Sequence, residues 1–233
     1  MAEFQVLGNV SPFVHVHLQQ GDKIFAESDA MVSMDVTLDL KGQMRGGFLN
    51  ALARRVSSGE SFFQQTIEAT RGSGDVLFGH IAPSGVEILD IGSQQYRLND
   101  GVFLTASDTV NLTVRTQGIA QGLFGGSGGL FILETSGSGK LAVTGFGEIF
   151  GLQVSQDNDV IVDNGHVVAW DRNLAYNITA ATGQGGGFLE RMAGAVTSGE
   201  GLVNRFSGEG TVYVASRNLK GFAGWIKNLF GSN

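Results

Sequence analysis

The chain has 233 residues, enough for one large β domain or two small ones with a substantial core. Glycine contributes 36 residues and proline only 2, without a Gly-x-y period, which excludes collagen and proline-rich linkers and assigns the glycines to turns. The composition, 42% hydrophobic and 16% charged, is that of a folded chain. The net charge of −7 disfavours nucleic acid as a partner, because phosphates are also negative.

The absence of cysteine excludes a disulfide framework and a thiolate nucleophile. The first basic residue is Lys23, so the segment before it has neither the cationic flank of a secretory signal nor the arginines of a transit peptide. A cytoplasmic location is therefore expected. No apolar run approaches the ~20 residues that cross a bilayer, which restricts any membrane contact to a peripheral one.

Apolar residues alternate with other residues along much of the chain. The clearest runs are Val14-x-Val16-x-Leu18, Val36-x-Leu38-x-Leu40, Val110-x-Leu112-x-Val114 and Leu174-x-Tyr176-x-Ile178. A period of two is typical of strands with one buried face. Turn-forming sequences such as Asn99-Asp100-Gly101 separate the runs. An all-β fold is predicted.

Two short patterns each occur three times. A turn, an apolar strand and an aspartate end at Asp35, Asp108 and Asp171, and a Gly-x-Gly hairpin begins at Gly72, Gly137 and Gly208. Both patterns indicate a period of about 70 residues. We therefore expect one compact β body over residues 1–218, built from pseudo-repeats at roughly 1–80, 81–146 and 147–218.

Residues 219–233 differ in kind and predict an amphipathic helix. Its apolar face consists of Phe222, Trp225, Ile226, Leu229 and Phe230. Such a face is typical of a core or a subunit interface, and the same pattern also suits a helix on a membrane surface. Leu123 and Phe124 lie on a glycine-rich backbone, and fixing that backbone costs entropy that a partner surface would offset. These seven residues form the predicted oligomer interface.

Candidate chemistry is sparse. His15-x-His17 places two imidazoles on one strand face, as in a cupin metal site, but no glutamate follows at the required spacing. Residues 125–129 spell the Gly-x-Ser-x-Gly nucleophile elbow, yet a strand pattern follows where that motif needs a helix. The residues therefore predict no catalytic group, no cofactor and no metal.

Five segments, in order along the chain, carry a family resemblance: AESDAMVSMD at 26–35, SGESFF at 58–63, GLFGG at 122–126, VDNGHVVAWD at 162–171 and GEGL at 199–202. They resemble the signatures of the altered-inheritance-of-mitochondria family of TRAP-like proteins over about residues 4–218. The middle copy departs at Ser127-Gly128, where the family tends to carry Gly-Glu. The resemblance implies a fold like the tryptophan RNA-binding attenuation protein, grouped with double-stranded β-helices, frequent homo-oligomers and no catalytic residue. The mitochondrial member is associated with respiratory function and the cristae-organising complex.

We therefore expect a non-catalytic oligomeric scaffold that binds itself, as a trimer or a multiple of a trimer, and a further protein that the sequence does not identify. The alternative is a small-molecule or metal-binding β-barrel, a cupin-like enzyme, with His15, His17 and His166 as its polar candidates. RNA binding is a third reading. It is disfavoured because the chain lacks the basic repeat of the RNA-binding namesake.

Overall fold

The structure is a computed structural model that describes residues 2–42, 65–116, 131–180 and 202–231. In these ranges the chain is predominantly antiparallel β-sheet, with a short 3-10 turn at Asn164–His166 and one C-terminal α-helix. The predicted β class is therefore confirmed. Leu123 and Phe124 lie outside the described residues.

The secondary structure elements are numbered in chain order. The strands are β1 (Glu3–Leu7), β2 (Phe13–Leu18), β3 (Lys23–Ala26), β4 (Met31–Met34), β5 (Asp39–Gly42), β6 (Gln65–Glu68), β7 (Gly74–Phe78), β8 (Ser84–Ile91), β9 (Tyr96–Leu98), β10 (Phe103–Ser107), β11 (Val110–Thr116), β12 (Phe131–Gly137), β13 (Gly139–Phe146), β14 (Ile149–Val154), β15 (Val160–Asp163), β16 (Val167–Asp171), β17 (Ala175–Ala180), β18 (Leu202–Ser207) and β19 (Gly210–Ala215). Helix α1 spans Leu219–Phe230.

The strands pair in a recurring scheme. We call β2–β7, β8–β13 and β14–β19 strand sets 1, 2 and 3. In each set the first and third strands pair with the sixth, and the second and fourth strands pair with the fifth. β1 adds to the edge of β2. Successive sets are joined because the second strand of one set pairs with the third strand of the next, as β3–β10 and β9–β16. We call each of these pairings a set junction.

The Gly-x-Gly segments begin the sixth strand of each set, and a hydrogen bond explains their second glycine. The backbone N–H after that glycine donates to a side chain at the end of the third strand, in the bonds Asp75 N to Asp35 Oδ2 (2.9 Å), Lys140 N to Ser107 Oγ (3.0 Å) and Thr211 N to Asp171 Oδ2 (2.9 Å). We call this the strand-end bond. A Cβ on Gly210 would lie 2.5 Å from Asp171 Oδ2, so that only glycine leaves room.

Two expectations from the sequence are wrong. The triplicated pattern made Asp108 the equivalent of Asp35 and Asp171, but Ser107 makes the strand-end bond in set 2, since both a hydroxyl and a carboxylate can accept a hydrogen bond. The alternation from Val36 to Leu40 does not form one strand. Leu38 N donates to Asp35 O at 3.1 Å and closes a turn, which buries Leu38 and leaves Val36 87% exposed.

The hydrophobic core extends through the set junctions. The cluster of set 1 includes Leu104 and Ala142 of set 2, and the cluster of set 2 includes Val168 and Ala169 of set 3. The third cluster is built mainly from set 3, around Trp170 and Phe206. Neighbouring sets therefore share buried apolar surface as well as strand pairing.

The strand-end bond of set 3 predicts the effect of Asp171→Ala. Asp171 is buried, and its loss would leave the Thr211 N–H without its acceptor, so we expect a cost of about 1–3 kcal/mol in the free energy of unfolding. Asp171→Asn keeps an acceptor oxygen and should lose less. Urea unfolding of both variants measures the difference, and equal midpoints for Asp171→Ala and the wild type would contradict the assignment.

Candidate functional site

A cavity of about 240 Å³ lies where several turns meet the start of α1. Its wall is formed by the segment between β7 and β8, the β9–β10 turn, the 3-10 turn and the first turn of α1. The ionisable side chains that line it are His80, Asp100, Arg217 and Lys220. The cavity thus brings one acidic and three basic side chains to one place.

Burial shifts the titration of the groups around this cavity. It raises the pKa of Asp100, an effect that the Gly101 N–H and the Lys220 ammonium partly offset. Burial likewise lowers the pKa of Lys220, and Asp100 opposes that shift. On the set 1 side, burial and the charges of Asp100 and Asp29 raise the pKa of Glu27 from 4.5 to about 7. Three coupled groups therefore link strand set 1, the β9–β10 turn and α1.

Helix α1 is anchored at its first turn. Asn218 Oδ1 accepts hydrogen bonds from Lys220 N (3.0 Å) and Gly221 N (3.1 Å), which caps the helix. The Asn218 side chain packs directly on Gly165, where a Cβ would collide with Nδ2. The Phe222 ring lies 5.1 Å from the Phe146 ring, centre to centre. These contacts fix the start of the helix on the β-sheet body.

The rest of α1 is exposed apart from Ile226, which is half-buried. The predicted helix is present, but none of its residues is buried. The exposed fraction is 57% for Trp225, 60% for Leu229 and 83% for Phe230. No helix in the described ranges is long and apolar enough to span a bilayer. The apolar face of α1 is thus the concentrated apolar surface that the sequence predicts.

The two histidines of β2 share one carboxylate. His15 Nε2 and His17 Nδ1 lie 2.9 and 2.8 Å from Asp75 Oδ1 on the neighbouring strand β7. The hydrogen bond with His17 is the largest cause that lowers the pKa of Asp75. No glutamate follows the pair at the spacing of a cupin site, and the carboxylate that accompanies it comes from the neighbouring strand instead. Among the described residues, no group of three or more histidine and carboxylate side chains has a geometry that could hold a metal ion.

Equivalent cross-strand positions show what this cluster does. Where set 1 pairs His17 with Asp75, set 2 places an ion pair between Asp90 and Lys140 at 2.5 Å. Set 3 places Gln153 Nε2 3.1 Å from Thr211 Oγ1. All three are complementary side-chain pairs between the first and sixth strands, so we interpret the histidine cluster as a strand-pairing contact.

The third candidate histidine belongs to a different contact. His166 Nδ1 lies 2.7 Å from Ala215 O and ties the 3-10 turn to the end of β19. His15 and His17, in contrast, lie in the sheet that contains β1, β2, β7 and β4. The structure therefore uses the three histidines in two separate hydrogen-bonded groups. The sequence identified Asp100 only as part of a turn and gave Lys220 no role, because neither lies in a motif associated with binding or catalysis.

Comparisons with known proteins give one family and bacterial relatives. The family model "Mitochondrial biogenesis AIM24" matches residues 4–217. The uncharacterized protein M6_Spy0233 of Streptococcus pyogenes serotype M6 is 35% identical over 222 residues, covering 93% of this chain and 86% of that protein. The crystal structure of protein SPYM3_0169 from Streptococcus pyogenes has a TM-score of 0.80 and 31% identity, covering 98% of this chain and 100% of that chain.

The raised pKa of Glu27 predicts a pH-dependent effect of Glu27→Gln. Below pH 4.5 the Glu27 carboxyl is neutral in both the folded and the unfolded chain, and its contribution to the stability of the folded state is fully present. That contribution is lost as the pH rises through about 7, because the folded protein disfavours the charged form. The variant has no charge to bury. We expect it to match the wild type near pH 4.5 and to gain stability by pH 8, by at most ~3 kcal/mol.

Urea unfolding of Glu27→Gln and wild type between pH 4.5 and 8 measures this gain. Glu209→Gln, which neutralises an exposed carboxylate on the β18–β19 turn, is the matched control. A gain that does not change with pH, or that also occurs in Glu209→Gln, would contradict the assignment.

Proposed function

We propose that this chain, which belongs to the mitochondrial biogenesis AIM24 family, is a non-catalytic homo-oligomeric assembly or scaffold protein. The family resemblance of its five sequence segments is confirmed by the match over residues 4–217. The observation that carries the proposal is the exposed apolar face of α1. The remaining support comes from how the chain uses its polar side chains.

The face of α1 is well suited to bind a second copy. Phe222, Trp225, Leu229 and Phe230 all have exposed fractions above 40%. Soluble monomers seldom leave large contiguous apolar patches in water, and such patches usually mark interaction sites. Each large side chain that becomes fully covered contributes about 1.5–3 kcal/mol. A subunit contact is the simplest way for an acidic chain to cover this face.

The polar side chains that could do chemistry are engaged in structural contacts. His15 and His17 bind Asp75, and His166 binds the Ala215 carbonyl. Each of these contacts uses one ring nitrogen to hold a strand or a turn in place. These contacts support a role in shape and assembly.

We also propose that the three strand sets are TRAP-like repeats of the double-stranded β-helix type. The support is the recurring pairing scheme and the strand-end bond, which occurs in every set. A ring-forming fold of this kind suits a closed oligomer, a trimer or a multiple of a trimer.

The cavity at the foot of α1 supports a second candidate, the binding of a small polar molecule. Its volume of about 240 Å³ and its convergent Asp100 and Lys220 are the specific observations. A thermal-shift screen with small carboxylates, amines and divalent metal ions tests it. A saturable rise in melting temperature that Asp100→Asn abolishes would favour binding over a purely structural cavity.

The assembly proposal predicts a mass above one chain in light scattering. Trp225→Asp with Leu229→Asp should shift the protein toward the mass of a single chain, because burying two carboxylates in an apolar contact is costly. Asn228→Asp introduces one such carboxylate outside the predicted apolar face and is the control. A wild type that stays a single chain at all concentrations contradicts the proposal.

The same variants distinguish a membrane role for α1. If the double variant keeps its oligomeric mass but loses flotation with anionic liposomes, α1 is a peripheral membrane helix. We expect unchanged flotation behaviour, since the face is assigned to the subunit contact.

A further inference from the structure

The set junction has a fixed geometry inside the chain. At the first junction Ala26 pairs with Thr105 and Phe25 with Ala106. At the second, Leu98 pairs with Ala169 and Arg97 with Trp170. One further backbone bond continues each junction, from Glu27 N to Leu104 O (2.9 Å) and from Asn99 N to Val168 O (2.8 Å). The chain thus builds the same joint twice.

The first and the last strand set each contain one strand that could form a set junction but has no partner there in the described ranges. β4 occupies in set 1 the place of β10 and β16, yet within the described ranges it pairs only with β7. β15 occupies in set 3 the place of β3 and β9, yet in the same ranges it pairs only with β18. The two edges are complementary by construction, because their equivalents pair with each other twice.

The other edge strands do not have equivalents that are paired in both of the other sets. β5, β11 and β17 lie at a sheet edge in all three sets, and so do β8 and β14. For these strands no equivalent shows a partner on the free side, apart from β1 on β2. Only β4 and β15 have equivalents that are paired on this side in both of the other sets.

Exposure of the bulge residue shows that the β4 edge is uncovered. Each third strand skips one residue in its pairing with the sixth strand, and the skipped residues are Val32, Leu104 and Val168. Leu104 and Val168 are each 1% exposed, because they pack into the core of the preceding set. Val32 has no preceding set and is 54% exposed.

The β15 edge shows the matching feature. The bulges of the third strands start at Met31, Phe103 and Val167. Five residues before these positions lie Ala26, Leu98 and Val162, which are therefore equivalent. Ile161, one residue earlier, is the equivalent of Phe25 and Arg97. Phe25 and Arg97 are partly covered at their junctions, whereas Ile161 is 65% exposed. Apolar side chains are therefore exposed on both unused halves of the joint.

We infer that β15 of one copy pairs antiparallel with β4 of a second copy, in the register of the set junctions. This inference rests on the proposed homo-oligomer and adds a second contact to the one made by the face of α1. The register places Val162 opposite Ser33 and Ile161 opposite Met34, and it seats Val32 against the core of set 3 in the neighbouring copy. Pairing with the chain's own β15 is absent from the described structure, since β4 and β15 lie in different sheets.

The contact is head-to-tail, so each copy offers one edge and accepts another. Such heterologous contacts generate rings when the rotation closes and filaments when it does not. Strand addition at a sheet edge also satisfies the backbone N–H and C=O groups that an uncovered edge leaves to water. The assembly then continues the arrangement of strand sets from one chain into the next.

Disulfide trapping tests the register directly, because the chain has no cysteine of its own. Directly opposed residues in an antiparallel pair have Cα atoms about 4.5–5.5 Å apart, within disulfide range. Met34→Cys with Ile161→Cys should form disulfide-linked dimers and higher species on oxidation. Val36→Cys with Ile161→Cys places one cysteine in the exposed turn beyond the end of β4, is the control, and should cross-link at least about fivefold less.

Val32→Lys tests the energetics. Val32 is already exposed in the single chain, so folding should be unaffected, whereas a buried ammonium at the joint should raise the dissociation constant at least about tenfold. Val10→Lys, at an 88% exposed position on the β1–β2 turn, is the control. Melting curves of both variants verify folding.

The outcomes separate the two proposals. An oligomeric wild type that Val32→Lys dissociates, with intermolecular cross-links for the 34/161 pair, supports the joint. An oligomeric wild type with no cross-link and no effect of Val32→Lys overturns the joint and leaves the scaffold proposal standing. A cross-link confined within one chain also overturns it. A wild type that stays a single chain overturns both.

Discussion

The strand-end bond is the interaction on which the rest of this fold depends. It occurs beside a glycine at the start of the sixth strand, where a Cβ would collide with the accepting side chain in sets 2 and 3 and with Thr37 in set 1. That one close approach fixes the sixth strand against the third, and the sixth strand then carries the first strand on its other side. A conformational requirement at one residue thus determines the position of three strands in each set.

The set junctions extend this local order into one core. At each junction a strand of one set is hydrogen-bonded to a strand of the next, and the bulge residue Leu104 or Val168 enters the preceding core. The bulge matters here because skipping one residue redirects a side chain that would otherwise lie on the other face of the sheet. Arg97 strengthens the second junction, with Glu134 2.9 Å from its Nε and the Tyr176 ring beneath its guanidinium.

The sequence predicted the β class and the C-terminal helix, because each of these follows from a local period. The prediction that the Gly-x-Gly segments are hairpins is wrong, since the fifth and sixth strands that they join lie in different sheets. It failed where the determining contact is distant in sequence. Asp75 lies on β7 and reaches His15 and His17 across the strand pairing, so no short motif reveals it. Ser107 escaped notice because an acceptor, and not an aspartate as such, is what the position needs. The turn at Asp35–Leu38 likewise follows from the strand-end bond, which alternation cannot show.

The exposure of α1 follows from where it is held. Asn218 on Gly165, Lys220 beside Asp100 and Phe222 on Phe146 all lie within the first turn of the helix or just before it. Beyond the first turn the apolar side chains of Trp225, Leu229 and Phe230 are exposed at 57%, 60% and 83%, whereas Ile226 is half-buried. Because the helix is fixed at one end, its C-terminal half projects from the β-sheet body and is available for contact with another molecule. The contacts of its first turn therefore determine the direction of the helix, while its apolar residues determine what it can bind.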